Sequence, residues 1–135
     1  MLKTYLHTLL FISWMLFITI LSLFSFSEIG LDTGKLHIPY ADKITHFIFH
    51  SVFVFLGSLA VRERTRGQIE IKKATLIIFA LAIMYGIIIE ALQYTITTDR
   101  HAEFGDVLAN TLGAFAGLVS IRWLFSKEKP LKWKF

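Results

Sequence analysis

Apolar and polar positions alternate along this chain in long blocks. Residues 6–26 contain no Asp, Glu, Lys or Arg, and neither do residues 44–61. A third such block covers 74–89, where Glu90 interrupts it before Ala91 and Leu92. A fourth covers 107–121, between Asp106 and Arg122. A membrane helix needs about 20 mostly apolar residues with few charges. The pattern therefore predicts four spans, at 6–26, 44–61, 74–92 and 105–123. The connections are short, so neighbouring spans should run antiparallel. The expected fold is an all-α integral membrane protein, a four-helix transmembrane bundle forming a single domain over 1–135. A secretory apolar region runs about 7–15 residues. The first block is longer, and it reads as a retained helix.

Composition agrees. The 135 residues are 55% apolar and 18% charged, and mean hydropathy is +0.61. Soluble domains average about 45–50% apolar and 25% charged. The absence of Cys excludes disulfides, thiolate metal sites and a cysteine nucleophile.

The net charge of +4 follows from topology. Lys3, Arg62, Arg64, Arg66, Lys72, Lys73, Arg122, Lys127, Lys129, Lys132 and Lys134 fall on one side of the predicted bundle. Lys35, Lys43 and Arg100 fall on the other. Positive charge marks the cytoplasmic face, which puts both termini inside. The basic groups divide between a short loop and a tail, with no stacking platform. That excludes nucleic acid as a partner and leaves membrane lipids. Tyr5, Tyr40, Tyr94 and Trp123 fall near the span ends, where aromatic belts sit. Trp14 falls deep within span 1.

The remaining polar residues converge. Asp42 and Lys43 precede span 2, and His46 and His50 lie one and two turns further on. Glu90 and Gln93 lie at the outer end of span 3, Arg100 in the following loop, and Asp106 and Asn110 at the start of span 4. All are predicted near the outer membrane face. Asp106, Asn110, Gly113 and Gly117 follow helical spacing and share one stripe. Gly113-x-x-x-Gly117 lets a second helix approach closely. Gly86, Glu90 and Gln93 share a face of span 3, as do Asp42, His46, His50, Phe53 and Gly57 in span 2. An ionisable group at mid-membrane costs about 2.5–3.5 kcal/mol on the insertion scale, so such groups are usually paired and functional.

These residues carry a resemblance. Asp42-Lys43-Ile44-Thr45-His46-Phe47 resembles the D-K-x-x-H-F motif of VanZ-like membrane proteins. Glu90-x-x-Gln93, Arg100 and Asp106-Val-Leu-Ala-Asn110-Thr-Leu-Gly113 resemble the E-x-x-Q, R and D-x-x-x-N-x-x-G motifs that follow it there. The resemblance spans about 38–119, and His50 lies outside the motif. It implies a four-helix bacterial inner-membrane protein, in a family named for low-level resistance to the glycopeptide teicoplanin.

Three functions suit such a cluster. In the first, it binds an anionic lipid or cell-wall precursor at the outer leaflet. Lys43 and Arg100 would hold phosphate, and Asp42, Gln93 and Asn110 would complete the ligand-binding set. In the second, it is an enzyme modifying a phospholipid or polyprenyl-phosphate lipid. His46 would be base or nucleophile, oriented by Glu90 or Asp106. In the third, the ion pairs only fix a structural or regulatory bundle. His46 and His50 share a face as zinc-binding pairs do, with Glu90 or Asp106 able to complete the set. No Glu follows the first His as in H-E-x-x-H, so neither metal nor cofactor is assigned. A transporter is least favoured, because the predicted inner half offers only Thr75, Ser58 and Thr8.

Overall fold

The computed structural model describes residues 4–23, 41–96, 104–126 and Trp133. It holds four helices: α1 (Leu6–Leu23), α2 (Ala41–Thr65), α3 (Ile71–Ile96) and α4 (Phe104–Ser126). No strand occurs among the described residues. At about 1.5 Å per residue, α1 is roughly 27 Å long and the others are about 35–39 Å. All four are long and apolar enough to cross a membrane.

The helices overrun most of the predicted span ends. α2 begins three residues before the apolar run and continues through Arg62 and Arg64. α3 likewise extends from Ile71 to Ile96. The apolar run marks hydrocarbon depth, whereas helical hydrogen bonding continues into the headgroup zone, where charge is tolerated. α2 ends at a specific device. Arg66 takes a left-handed conformation (φ 51°), followed by Gly67 (φ 69°). The Gly67 N–H then donates to the Arg62 carbonyl at 2.9 Å, the six-to-one bond of a Schellman cap.

α2 sits at the centre and packs against α1, α3 and α4. Its tightest partner is α4. A Cβ added to Gly113 would lie 2.1 Å from the Phe47 carbonyl oxygen, and one on Gly117 would lie 2.3 Å from that of Ser51. The two backbones therefore touch along the glycine stripe, as the spacing predicts. Below this contact, Ile18, Phe53, Val54, Ile78, Ala82, Ala114 and Leu118 form the apolar core.

α1 is the most peripheral helix and is fastened by side-chain hydrogen bonds. Trp14 Nε1 donates to the Phe49 carbonyl of α2 at 3.0 Å. This explains an indole far from either interface. The Tyr85 hydroxyl of α3 donates to the Met15 carbonyl at 3.0 Å and also meets the Thr19 hydroxyl. At the start of α1, Glu63 accepts from the backbone N–H groups of His7 (2.7 Å) and Thr8 (3.3 Å). It also accepts from the His7 ring (2.9 Å) and the Thr8 hydroxyl (2.8 Å). A carboxylate of α2 thus caps the N-terminus of α1, where orphan N–H groups and the helix dipole favour negative charge.

Large apolar side chains cover the outside. Leu108, Leu112, Phe115, Val119 and Trp123 form an exposed stripe along α4, and Leu9, Ile12, Leu16 and Ile20 form one on α1. In water such continuous patches would drive association; in lipid they are the solvated face. Tyr5, Tyr94 and Trp123 are exposed near helix ends, in keeping with belt positions. Tyr40 lies outside the described residues.

Candidate functional site

The site lies where α2 and α4 begin and α3 ends. Four polar side chains from three helices are buried there: His46, Glu90, Asp106 and Asn110 are 8%, 4%, 7% and 3% exposed. Each arrives by helical register. His46 is in the second turn of α2, Asp106 in the first turn of α4 with Asn110 one turn on, and Glu90 six residues before the end of α3. The glycine contact directly below holds α2 and α4 close enough for these short side chains to meet.

His46 is the hub. Its Nδ1 lies 3.0 Å from Asn110 Oδ1. An amide oxygen only accepts, so Nδ1 carries the proton and donates. The other ring nitrogen, Nε2, then faces two carboxylates. Glu90 Oε1 lies 3.7 Å away and Asp106 Oδ2 4.0 Å away. The second Asp106 oxygen, Oδ1, is 3.4 Å from Lys43 Nζ, whose side chain is about one-third exposed. Such a half-wet ion pair adds about 1 kcal/mol or less. Its position at the rim matters more than its strength.

The floor is built from His50, Gly86 and Asn110. The His50 Nδ1–H donates to the His46 carbonyl at 3.1 Å. Its Nε2 is buried and has no hydrogen-bond partner among the described residues. A Cβ on Gly86 would lie 2.8 Å from this nitrogen and 2.9 Å from Asn110 Nδ2. Glycine at 86 therefore leaves room for both side chains beneath Glu90.

Of the residues singled out from sequence, the structure brings together Lys43, His46, Glu90, Asp106 and Asn110. Gln93 is buried and turned towards α1, where its Nε2 donates to the Ser22 carbonyl at 2.8 Å. Asp42 lies in the first turn of α2, and its side chain lies outside the described residues, as does Arg100. His50 shares the helix face of His46, but it is His46 that meets both acids, while the His50 ring packs at the floor. Sequence reasoning missed the polar network at the opposite end, which joins Glu63 to His7 and Thr8. One signal was present: Glu63 is an acid between two arginines in the most basic of the connections predicted between spans.

The described residues thus define a class: a small helical bundle of membrane-spanning dimensions with a buried imidazole–carboxylate cluster at one end. A family comparison narrows this. The VanZ/LLP1 family model matches residues 3–125, nearly the whole chain. The protein belongs to that family. No curated protein and no solved structure matches the chain.

Proposed function

We propose that the protein binds the phosphate-bearing headgroup of an envelope lipid or cell-wall precursor at this polar end. The observation that carries the reading is the placement of one cation and four buried polar groups, from three helices, at one end of a lipid-facing bundle. Burying such groups in a membrane protein is costly, so they are usually paired and mark functional sites. Lys43 stands at the rim with its side chain about one-third exposed, and a lysine ammonium is a common partner of phosphate oxygens. Arg100 falls in the sequence between the end of α3 and the start of α4, and in this reading it is the second phosphate-binding cation. The positive-inside rule puts this end on the outer face of a bacterial cytoplasmic membrane, since the basic residues Arg62, Arg64, Lys72, Lys73 and Arg122 lie at the other. Family membership links such proteins to glycopeptide resistance, and a protein that engages precursor lipids would act where those drugs act.

A second reading makes the same cluster an enzyme. Asn110 fixes one tautomer of His46 and leaves Nε2 directed at Glu90 and Asp106, the arrangement of an oriented general base. Turnover of the bound lipid separates the two.

The test is native mass spectrometry of the full chain in mild detergent, reconstituted separately with phospholipid and with polyprenyl phosphate. We expect a specific adduct with one of these. Lys43→Ala and Arg100→Ala should each reduce it at least fivefold while the helices stay folded by circular dichroism. Equal retention by both variants removes the headgroup reading. Conversion of the adduct to a new mass, abolished by His46→Gln, replaces binding by catalysis.

A further inference from the structure

Among the described residues the cluster sets two carboxylates and one imidazole beside a single lysine. His46 donates through Nδ1, and in the neutral ring the lone pair at Nε2 is turned towards two carboxylates. One potential ligand atom from each of His46, Glu90 and Asp106 lies within 4.8 Å of the other two. The separations discriminate between ways of holding such a group together. An imidazolium–carboxylate hydrogen bond closes to about 2.7–2.9 Å, and the observed 3.7 and 4.0 Å are too long for one. Around an ion with bonds of about 2.0–2.2 Å, tetrahedral ligands sit about 3.3–3.6 Å apart. The two distances from His46 exceed that spacing by only a few tenths of an ångström, and no two of the three atoms are more than 4.8 Å apart.

Two further features have the form of a metal site. A ligating histidine ordinarily donates its other N–H to a fixed acceptor, which sets the tautomer and ring orientation; Asn110 Oδ1 does this for His46. Independently, the site floor holds an acceptor with no donor among the described residues: His50 Nε2, on a residue only 1% exposed. It opens beside Gly86 and Asn110, on the side of α3 that carries Glu90 one turn higher. Water bound to an ion is the kind of donor such a nitrogen takes.

We propose that His46, Glu90 and Asp106 bind one divalent first-row transition cation. The donor set, one imidazole and two carboxylates with no thiolate in the chain, suits zinc or manganese. Three protein ligands leave a position open for an exogenous oxygen. The ion would also let an end rich in carboxylates accept an anionic headgroup. The metal site does not depend on that headgroup reading, since its own test contains no lipid.

The test uses the full chain in detergent, stripped with chelator and reloaded with zinc or with manganese. After desalting, metal content by plasma mass spectrometry should reach one equivalent of one of these ions in the wild type. Affinity should fall at least tenfold in Glu90→Gln and in Asp106→Asn. Glu70→Gln, an exposed acid near the other end, should retain the full equivalent. Pulsed electron paramagnetic resonance of the wild type carrying manganese should show coupling to an imidazole nitrogen. This readout stands even if the cluster variants fail to fold. Less than a tenth of an equivalent in folded wild type overturns the proposal. So does full metal content in folded Glu90→Gln and Asp106→Asn, or bound manganese with no ring-nitrogen coupling. A metal-loaded protein that retains no lipid leaves the site standing and removes only the headgroup reading.

Discussion

Gly113→Ala should destabilise the bundle by about 3 kcal/mol, at the upper end of what overpacking costs. The added methyl would sit 2.1 Å from a backbone carbonyl, that of Phe47. A backbone oxygen cannot rotate away, so α2 and α4 must separate. Separation also removes van der Waals contact along the stripe, which drives helix association in lipid, where no hydrophobic force acts between helices. Gly117→Ala should cost nearly as much, its methyl falling 2.3 Å from the Ser51 oxygen. Gly105→Ala supplies the contrast. Its methyl meets the Lys43 side chain, with Cε 2.8 Å away, and a flexible stem can move for well under 1 kcal/mol. Unfolding each variant by dodecyl sulfate titration, followed by circular dichroism, checks this ordering. Equal midpoints for Gly113→Ala and wild type would show that the helices are not in backbone contact.

Glu63→Ala should release the N-terminal half of α1. The substitution removes four hydrogen bonds from His7 and Thr8 to one carboxylate. Side-chain capping alone contributes about 1 kcal/mol, and hydrogen bonds to charged groups about 1.5–3 kcal/mol. Because Glu63 belongs to α2, the loss falls on docking between helices as well as on α1 itself. We expect a total of about 2–4 kcal/mol. Glu63→Gln should cost less, since the amide oxygen still accepts. The chain has no native Cys, so engineered cysteine pairs between α1 and α2 report the change directly. Cross-linking near His7 should fall sharply in Glu63→Ala, while cross-linking near Ile18 should hold. Unchanged cross-linking at both positions would remove the capping role.

The fold was legible because hydrocarbon imposes a simple rule on sequence: long runs without charge. Helix ends were not, because backbone hydrogen bonding ignores the boundary that charge marks. Arg62 and Arg64 illustrate this, as both lie in α2 beyond its apolar run. The cluster was legible for a related reason. His46, Glu90, Asp106 and Asn110 sit at matched depths on helices whose glycine stripes show which face is packed. Their pairing was not legible, since it depends on how α2, α3 and α4 are arranged around the bundle. Sequence placed Gln93 with the ligand-binding residues, and its bond to Ser22 also ties α3 to α1. Glu63 escaped notice because an interfacial acid looks solvated until its tertiary partners are known. Trp133 escaped for the same reason. Its indole donates to the Ile69 carbonyl at 2.7 Å, and its carbonyl accepts from Arg62 at 2.8 Å. Nothing local to position 133 announces those bonds.

The glycine contact has a mechanical consequence for the cluster above it. Phe47, whose carbonyl faces Gly113, is the residue after His46, and Asn110 lies one turn before Gly113. His46, Asn110 and Asp106 are therefore mounted on two backbones pressed together, with little freedom to slide. Glu90 arrives on α3, which meets them at Gly86 through side-chain atoms of His50 and Asn110. Side chains yield where backbones do not. The cluster is built like a vise with one jaw fixed to the frame by backbone contact and the other, α3, seated on side chains.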